Sequence, residues 1–431
     1  MTRMKDSGIE WIGEVPEEWG ITKFKFLGTA KNGLTYSPEN IVEQTEGVLV
    51  LRSGNIRNNK LVFDNNVYVN SQIEPSIFLK KGDILITARN GSANLIGKNA
   101  IVEEPILATY GAFMMVFRVN KRMKSKFAYY LMNSSFDFYR NFFTTSTVNQ
   151  LTAGIFYNIE VPLPTIIEQT KIADFLDKKI AQLDKVKSLL EEQINTLEDY
   201  RQSLIYETVT KGLDKTVPLK DSGVDWIGQI PEGWGVKSFK YAVTIKDGTH
   251  DTPEYFVEGV PLITSKNLDS IHNEIDFEGA KNISFDDHRK ISQRSDVKKG
   301  DILMPMIGTV GGATQVLVEK EFSIKNVALF KVAHDEALSR FLYYQLNSSW
   351  INSQLSFMMS GGVQSFVSLN MLSKVKLIIP TSEEIKKISL FLDSGVGKIN
   401  QMIFIKKEQI ENINKQRQTL IYDYVTGKRR V

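Results

Sequence analysis

The sequence contains a tandem repeat that accounts for nearly the whole chain. Segment 5–19 reads KDSGIEWIGEVPEEW, and it returns halfway along the 431 residues as KDSGVDWIGQIPEGW in segment 220–234. A duplication of this size predicts two modules of the same fold, related by an approximate two-fold axis. Such a molecule suits a partner that is itself bipartite and roughly two-fold, and duplex DNA is the obvious candidate.

The composition excludes several kinds of chemistry. The chain has no Cys, which excludes disulfides, thiolate catalysis and Cys-ligated zinc, and which fits a reducing compartment. Its four His include no two at the spacing of metal ligands, so we expect no metal site. The beginning of the chain lacks the apolar run of a signal peptide, and no 18-residue apolar stretch is present. We therefore expect a cytoplasmic protein that does not associate with membranes.

The charge balance neither requires nor excludes a nucleic-acid partner. Lys and Arg number 53 against 50 Asp and Glu, which gives a formal net charge of +3. A chain that is nearly neutral overall can bind DNA only if its basic residues cluster on one face.

Each repeat begins with a Trp segment, defined as residues 5–19 and 220–234, followed by a region of short apolar runs. The Pro, Gly and Glu content of the Trp segments predicts turns that dock two Trp side chains, not strands. The hexapeptide KKGDIL occurs at 80–85 and at 298–303, whereas the loops between such shared stretches differ. Loop divergence is equally typical of modules that read different targets and of neutral drift. Runs of apolar, β-branched and aromatic residues predict strands at 48–51, 83–87, 113–117, 260–264, 301–304 and 327–330.

Each repeat ends in a predicted long helix. Pro-Thr precedes a Glu three residues after the Thr in both repeats, which is the pattern of an N-cap with a capping box. Apolar residues then recur at steps of three and four over 172–204 and 388–420, interrupted at Arg201 and Lys406. This narrow stripe favours a coiled-coil seam, and about 45 residues would span roughly 65 to 70 Å. Two amphipathic helices packed on separate sheets remain the alternative.

These patterns predict an α+β chain with two pseudo-symmetric α/β domains separated by a long antiparallel two-helix coiled coil. The predicted segments are 1–163 for the N-terminal segment with the first α/β domain, 164–215 for the central helix, 216–379 for the second α/β domain and 380–431 for the C-terminal helix.

A search for catalytic motifs finds no convincing match. The NPPY or DPPY motif of amine methylation is absent, and so is a Gly-rich turn for a methyl donor. Segments 91–98 and 395–398 approach a phosphate loop but lack its spacing or its Ser/Thr. Asp247, His250 and Asp251 could form a metal or acid–base cluster, although the surrounding sequence is typical of a turn. We therefore predict a chain without catalytic residues.

Several segments together resemble the specificity subunit of type I restriction-modification systems. They are the repeated Trp segments, the stretch EQTKIADFLD at 168–177, and the helix ends RQSLIY at 201–206 and RQTLIY at 417–422. The similarity covers essentially the whole chain. The second repeat departs from the family pattern at Glu384-Ile385, where a Glu-Gln pair is usual.

The resemblance implies a non-catalytic DNA-recognition subunit. Target-recognition domains at about 20–160 and 235–376 would each read one half of a split DNA site. Helices at about 165–212 and 381–428 would set the gap between the halves and bind two methyltransferase subunits. The segment 1–19 would pack at the end of the second helix, as 220–234 does at the end of the first.

The resemblance also implies which partners and cofactors to expect. The partners would be double-stranded DNA, two methyltransferase subunits and, through the complex, restriction subunits. S-adenosylmethionine, ATP and magnesium would belong to those subunits, so no cofactor is expected on this chain.

Candidate DNA-binding residues are the polar side chains of the loops that differ most between the repeats. Arg and Lys recognise guanine and Asn and Gln recognise adenine, while many polar groups contact phosphates. For any one residue, a surface turn without DNA contact explains its presence equally well. Lys80, Lys81, Lys298 and Lys299 could add phosphate contacts. The candidates are Lys31, Asn32, Arg52, Asn55, Arg89, Asn90, Ser92, Asn149 and Gln150 in the first repeat, and Thr249, His250, Lys266, Asn267, Gln364 and Ser365 in the second.

Two other functions remain open at this point. A coiled-coil scaffold that binds proteins without DNA specificity is favoured by the nearly neutral charge. A stand-alone methyltransferase or nuclease is disfavoured by the missing motifs.

Overall fold

The computed structural model describes residues 3–139, 149–307, 311–359 and 366–431. The chain divides into two compact units: unit 1 comprises Met1–Leu189 with Gln409–Val431, and unit 2 comprises Leu190–Glu408. This division cuts through both long helices, so the four segments proposed from the sequence stay a prediction. None of the helices in the described ranges is both long and apolar enough to cross a lipid bilayer.

The first repeat supplies a mixed set of strands and helices. Its strands are β1 Met4–Ile9, β2 Gly13–Pro16, β3 Gly20–Lys23, β4 Gly28–Asn32, β5 Ile41–Val42, β6 Val48–Leu51, β7 Ile56–Arg57, β8 Lys60–Leu61, β9 Val67–Val69, β10 Ile84–Thr87, β11 Asn99–Ile101, β12 Ala108–Tyr110, β13 Met114–Val119 and β14 Glu160–Leu163. Its helices are α1 Ser125–Tyr139, α2 Ala153–Asn158 and α3 Ile166–Lys211.

The second repeat supplies an equivalent set. Its strands are β15 Leu219–Asp221, β16 Gln229–Pro231, β17 Gly235–Ser238, β18 Thr244–Asp247, β19 Val260–Ile263, β20 Leu268–Asp269, β21 Glu274–Ile275, β22 Lys281–Ile283, β23 Ile302–Pro305, β24 Thr314–Gln315, β25 Ser323–Ile324, β26 Val327–Lys331 and β27 Lys376–Ile379. Its helices are α4 Phe239–Ala242, α5 Phe285–Arg294, α6 Glu336–Leu346, α7 Ser349–Met359, α8 Leu369–Lys374 and α9 Ser382–Val425.

Each unit has its own main sheet, and the two main sheets have equivalent strand orders. In unit 1 the order β11-β10-β13-β4 forms one antiparallel sheet, and in unit 2 the order β18-β26-β23-β24 forms its counterpart. A second sheet in each unit contains a parallel pair, β6 with β12 and β19 with β25. The apolar runs identified in the sequence lie largely in these strands, and most of their side chains are buried, as expected for strands covered on both faces. The predicted α+β class with two similar α/β bodies and two long helices is confirmed.

The Trp segments fold differently from the prediction. Each forms an antiparallel hairpin, in which Lys5 lies opposite Val15 in β1–β2 and Lys220 lies opposite Ile230 in β15–β16. The interpretation of these segments as turns without strands is therefore wrong. Gly13 and its counterpart Gly228 each adopt a φ of 69° at the end of the hairpin turn, a left-handed conformation that favours glycine.

The predicted capping boxes are present and have a second role. The Glu168 carboxylate accepts from the Thr165 backbone N–H at 3.2 Å, and the Glu384 carboxylate accepts from that of Thr381 at the same distance. The other carboxylate oxygen of Glu168 accepts from the Trp19 indole N–H at 3.4 Å. In the same way Glu384 accepts from Trp234 at 2.9 Å. One Glu therefore fixes both the start of the long helix and the Trp segment of its own repeat.

Each Trp segment also packs at the end of the other repeat's helix. In unit 1 the Tyr422 hydroxyl of α9 donates to the Ile12 carbonyl at 3.2 Å, and Arg430 forms ion pairs with Glu18 and Glu168. In unit 2 Ile205 and Val209 of α3 join Ile227, Ile230 and Trp234 in one buried cluster. The docking implied by the family resemblance is thus observed within each unit.

In unit 2 the two long helices run antiparallel. In unit 2 the residues that interrupt the apolar stripes are paired: Arg201 donates to the Asn400 amide oxygen at 2.7 Å, and Lys406 donates to that of Gln193 at 2.5 Å. Polar pairs at seam positions satisfy each other only in the correct register, so they specify alignment at some cost in stability.

The short helices α1 and α6 dock on the long helices through matched tyrosines. The Tyr130 hydroxyl donates to Asp177 at 2.6 Å, and the Tyr344 hydroxyl donates to Asp393 at 2.6 Å. Burial, followed by these hydrogen bonds to carboxylates, raises the pKa of both tyrosines. Burial also raises the pKa of the adjacent Tyr129 to about 12.

These tyrosines predict a loss of stability at alkaline pH. Burial raises the pKa of Tyr343 from 10.0 to about 12, so the unfolded chain releases this proton at a lower pH than the folded chain. The contribution of Tyr343 to the free energy of unfolding is complete below pH 10 and is lost as the pH rises towards 12. We expect the free energy of unfolding, measured by denaturant titration, to fall across this window. A Tyr343→Phe variant should show a shallower fall, and a stability that stays constant to pH 12 would contradict the prediction.

Candidate nucleic-acid interface

Four strand ends of unit 1 meet around an open cleft of about 520 Å³. Arg52 follows β6, Arg89 lies just beyond β10, and Phe113 immediately precedes β13. The main sheet and the second sheet of unit 1 therefore place these three residues around the same cleft. Tyr36, from the loop after β4, completes the lining. Cations interleaved with exposed aromatic rings are typical of surfaces that bind nucleic acids.

A glycine holds the strand end close to the base of this cleft. A Cβ atom on Gly33 would lie 2.0 Å from the Tyr110 carbonyl oxygen, and one on Gly248 would lie 2.0 Å from that of Ile324 in unit 2. Only glycine permits so close an approach between two backbones. Both units therefore make the same close backbone approach, here called the glycine floor, whatever side chains surround it.

Arg89 is held in place by its surroundings. Its guanidinium carbon lies 5.2 Å from the centre of the Phe113 ring, which is 59% exposed. Its backbone N–H donates to the Phe113 carbonyl at 3.0 Å. Arg89 also forms an isolated antiparallel β-bridge with Gln150, and an isolated β-bridge is called a ladder pair below. A cation stacked on an aromatic face gains about 0.5 to 1 kcal/mol at exposed sites. The guanidinium is thus partly pre-oriented at the surface.

Several predicted residues cluster beside Arg89. The Asn90 side chain accepts from the Ser92 backbone N–H at 3.0 Å, and Asn149 donates to the Gly91 carbonyl at 3.1 Å. The structure therefore brings Arg89, Asn90, Ser92, Asn149 and Gln150 together, although the last two are distant from the others in sequence.

Other candidates of the first repeat lie apart or inside the fold. Arg52 lines the cleft and donates to the Asn65 carbonyl at 2.9 Å. Asn55 is 1% exposed, because its amide oxygen accepts from the Arg52 backbone N–H and its amide nitrogen donates to Val62. Lys31 is exposed and donates to the Ser76 hydroxyl at 2.9 Å, and Asn32 is exposed at the end of β4. Neither Lys31 nor Asn32 lines the cleft.

The corresponding loops of unit 2 are arranged around His250. One ring nitrogen lies 2.8 Å from the Asn326 amide oxygen and the other lies 3.0 Å from the Asp247 carboxylate, which also pairs with Arg294. Thr249 forms a ladder pair with Lys325. Across the described residues no three His, Asp or Glu side chains are grouped as metal ligands.

The remaining candidates of the second repeat differ in position. Lys266 is exposed, whereas Asn267 is 7% exposed and caps its own turn by accepting from the Thr264 backbone N–H at 3.0 Å. Asn55 and Asn267 thus hold equivalent turns. Gln364 and Ser365 lie outside the described residues.

Three lysines of the two KKGDIL segments have acidic neighbours. Lys81 lies 3.3 Å from Glu104, Lys299 lies 3.5 Å from Glu319 and Lys298 lies 2.9 Å from Asp296. These ion pairs are exposed, so each contributes little to stability.

Two residues that line the cleft and one beside it were not identified from the sequence. Tyr36 and Phe113 line the cleft, and the Lys98 ammonium donates to the Ser53 carbonyl at 3.2 Å beside it. Burial, followed by the nearby Arg57, lowers the pKa of Lys98. Phe113 begins an apolar run whose other residues form a buried strand. Its place at the cleft could therefore not be recognised from the sequence. The useful signal is an aromatic residue placed between basic loops.

Comparison with known proteins gives a consistent result. Residues 16–198 match the profile of the family "Type I restriction modification DNA specificity domain". A putative type I restriction enzyme MjaX specificity subunit of Methanocaldococcus jannaschii is 26% identical over 441 residues, covering 97% of this chain and 96% of that protein. The MjaVIII specificity subunit of the same organism is 26% identical over 364 residues, covering 82% and 81% of the two chains.

A solved structure shows the same fold. It comes from work on complex assembly and conformational transition of the type I R-M system. It superposes with a TM-score of 0.69 at 16% identity and covers 96% of this chain and 99% of the other.

Proposed function

We propose that this chain is a type I restriction-modification specificity subunit and that each of its two units reads one half of a bipartite DNA site. Recognition on behalf of a restriction-modification complex is the role that this family would give the chain. The assignment of one half-site to each unit goes further, and it rests on the repeated architecture.

The observation that carries the proposal is a shared framework with different surface loops. Both units hold the glycine floor, the capped turn and the ladder pair beyond the central strand in the same arrangement. The side chains on this framework differ: unit 1 presents Arg89 where unit 2 presents Ile307. Two half-sites of different sequence require such a difference, because base edges are distinguished by donors, acceptors and methyl groups.

We further propose how the work is divided within the complex. The long helices would set the gap between the half-sites and bind two methyltransferase subunits, and restriction subunits would join through them. S-adenosylmethionine, ATP and magnesium would be bound by those subunits, so this chain would contribute recognition without catalysis.

A scaffold without DNA specificity is not favoured, because the relatives that match most of the chain are specificity subunits. Salt dependence separates the two functions. A DNA-binding chain neutralises phosphates and releases counterions, so its affinity for duplex DNA should fall steeply with salt. A protein scaffold should show no such binding.

The decisive experiment is modification-sensitive sequencing of a cell that carries this chain with its cognate methyltransferase. We expect one asymmetric motif of two short half-sites around a fixed gap, methylated on both strands. The same cell without the chain is the control and should lack the motif. If no motif appears although the methyltransferase is expressed, the proposal is wrong.

A further inference from the structure

One ladder pair occupies the same place in both units but differs in chemistry. Arg89 pairs with Gln150 in unit 1, and Ile307 pairs with Phe366 in unit 2. Arg89 lies two residues after β10, and Ile307 lies two residues after the equivalent β23. Their partners lie three residues before α2 and three residues before α8. The two pairs are therefore structural counterparts.

Neither pair serves the hydrophobic core. Ile307 is 42% exposed and Phe366 is 40% exposed, and neither belongs to the large buried clusters of unit 2. Arg89 is also exposed, and none of the described carboxylates lies within ion-pair distance of it. Exposed side chains that the fold does not use are available to a ligand.

We propose that this ladder position selects one base pair in each half of the DNA site. Arg89 selects a guanine in the half bound by unit 1, and Ile307 with Phe366 selects a thymine, through its methyl group, in the half bound by unit 2. The inference rests on the function proposed above, and it adds the chemical identity of one base in each half-site.

The chemistry of the two pairs leads to these bases. The planar guanidinium of Arg matches the O6 and N7 acceptors of guanine with two hydrogen bonds, and apolar side chains contact the thymine methyl group. The Phe113 ring keeps the Arg89 guanidinium from rotating freely, so less conformational entropy is lost on binding.

The comparison between units also argues against a phosphate contact. An Ile side chain has no group that can pair with a phosphate oxygen. Because Ile307 and Arg89 occupy equivalent positions on the same framework, a position that faced phosphates would leave Ile307 against a charged backbone. A position that faces base edges accommodates both residues.

The test compares variants of the full chain, expressed with the cognate methyltransferase in a host without other DNA methylation. The variants are Arg89→Ile, Arg89→Lys and Ile307→Arg, and the readout is the methylated motif with its base frequencies. We expect Arg89→Ile to reduce the preference for guanine at one position of one half-site by about 5- to 150-fold, the range expected for one lost bidentate contact, and Arg89→Lys to reduce it by less. Ile307→Arg should change one position in the other half-site only.

Arg122→Ala is the matched control, because Arg122 is an exposed arginine of unit 1 that follows the far end of β13 from Phe113 and does not line the cleft. It should leave the motif unchanged. Arg89→Lys keeps the charge but loses the planar fork, so a phosphate contact would survive unchanged in this variant, whereas guanine selection would weaken at one position. Unchanged thermal unfolding of each variant shows that the fold is intact.

The outcomes separate the inference from the function on which it rests. A wild-type motif with one relaxed position in opposite half-sites for Arg89 and Ile307 variants supports both. A wild-type motif that no Arg89 variant alters, or that Arg89→Ile weakens uniformly without relaxing a base, overturns the inference and leaves the function standing. No wild-type motif at all overturns the proposed function and the inference with it.

Discussion

Replacing Asp301 by Ala is expected to lower the free energy of unfolding of unit 2 by about 3 to 5 kcal/mol, the usual effect of removing one partner of a buried ion pair. Asp301 is fully buried in the repeated KKGDIL segment. Its carboxylate pairs with Lys331 at 2.5 Å and accepts from the backbone N–H groups of Lys298, at 2.8 Å, and Val332, at 3.1 Å. The substitution leaves these donors without their acceptor, and denaturant titration measures the loss.

Asp296→Ala is the control for this prediction. Asp296 pairs with Lys298 at 2.9 Å, but both side chains are more than half exposed. Exposed ion pairs contribute only about 0 to 1 kcal/mol, so the control should be nearly as stable as the wild type. Equal stability of the Asp301 and Asp296 variants would show that the carboxylate does not organise the turn.

Lengthening both long helices is expected to lengthen the gap of the methylated motif and leave its two half-sites unchanged. The insertion adds four residues between Leu189 and Leu190 in α3, and four between Glu408 and Gln409 in α9, where the chain passes between units. Four helical residues add about 6 Å along the axis, which corresponds to about two base pairs of duplex DNA. Modification-sensitive sequencing reports the gap directly.

The control changes composition near the insertion without changing length. Glu192→Ala and Glu408→Ala replace exposed residues on the two helices and should leave the gap as it is. A motif with altered half-sites at an unaltered gap would mean that the helices do not act as the spacer.

The long helices could be predicted closely because their signals are local. The Thr-x-x-Glu pattern gave the start of each helix, and the three-four stripe gave its course and the two interruptions. The observed helices, Ile166–Lys211 and Ser382–Val425, each begin one residue after the Thr of this pattern. A capping box and a stripe involve residues three or four apart, so sequence alone is enough to define them.

The candidate interface was harder to predict, because burial depends on contacts between distant segments. Asn55 and Arg52 are both polar residues of one divergent loop, yet Asn55 is buried in a turn whereas Arg52 lines the cleft. The sequence suggested phosphate contacts for the lysines of KKGDIL, whereas the Asp of the same motif is buried in both units and accounts for the repeat of the motif. These roles depend on the hydrogen bond between Asn55 and Val62 and on the one between Asp301 and Lys331. Neither bond could be inferred from sequence spacing.

The discontinuity of unit 1 has a consequence for synthesis on the ribosome. Unit 2 is one continuous stretch, Leu190–Glu408, whereas unit 1 includes Gln409–Val431 at the end of the chain. The buried cluster of unit 1 contains Ile421 and Val425, so this core cannot close until the chain has been synthesised beyond Val425. Unit 1 therefore closes after unit 2, although most of its residues are synthesised earlier, in contrast to the usual order in which the domain that is synthesised first folds first. A chain that stops between Glu408 and Ile421 would contain all of unit 2 but would lack two residues of the core of unit 1.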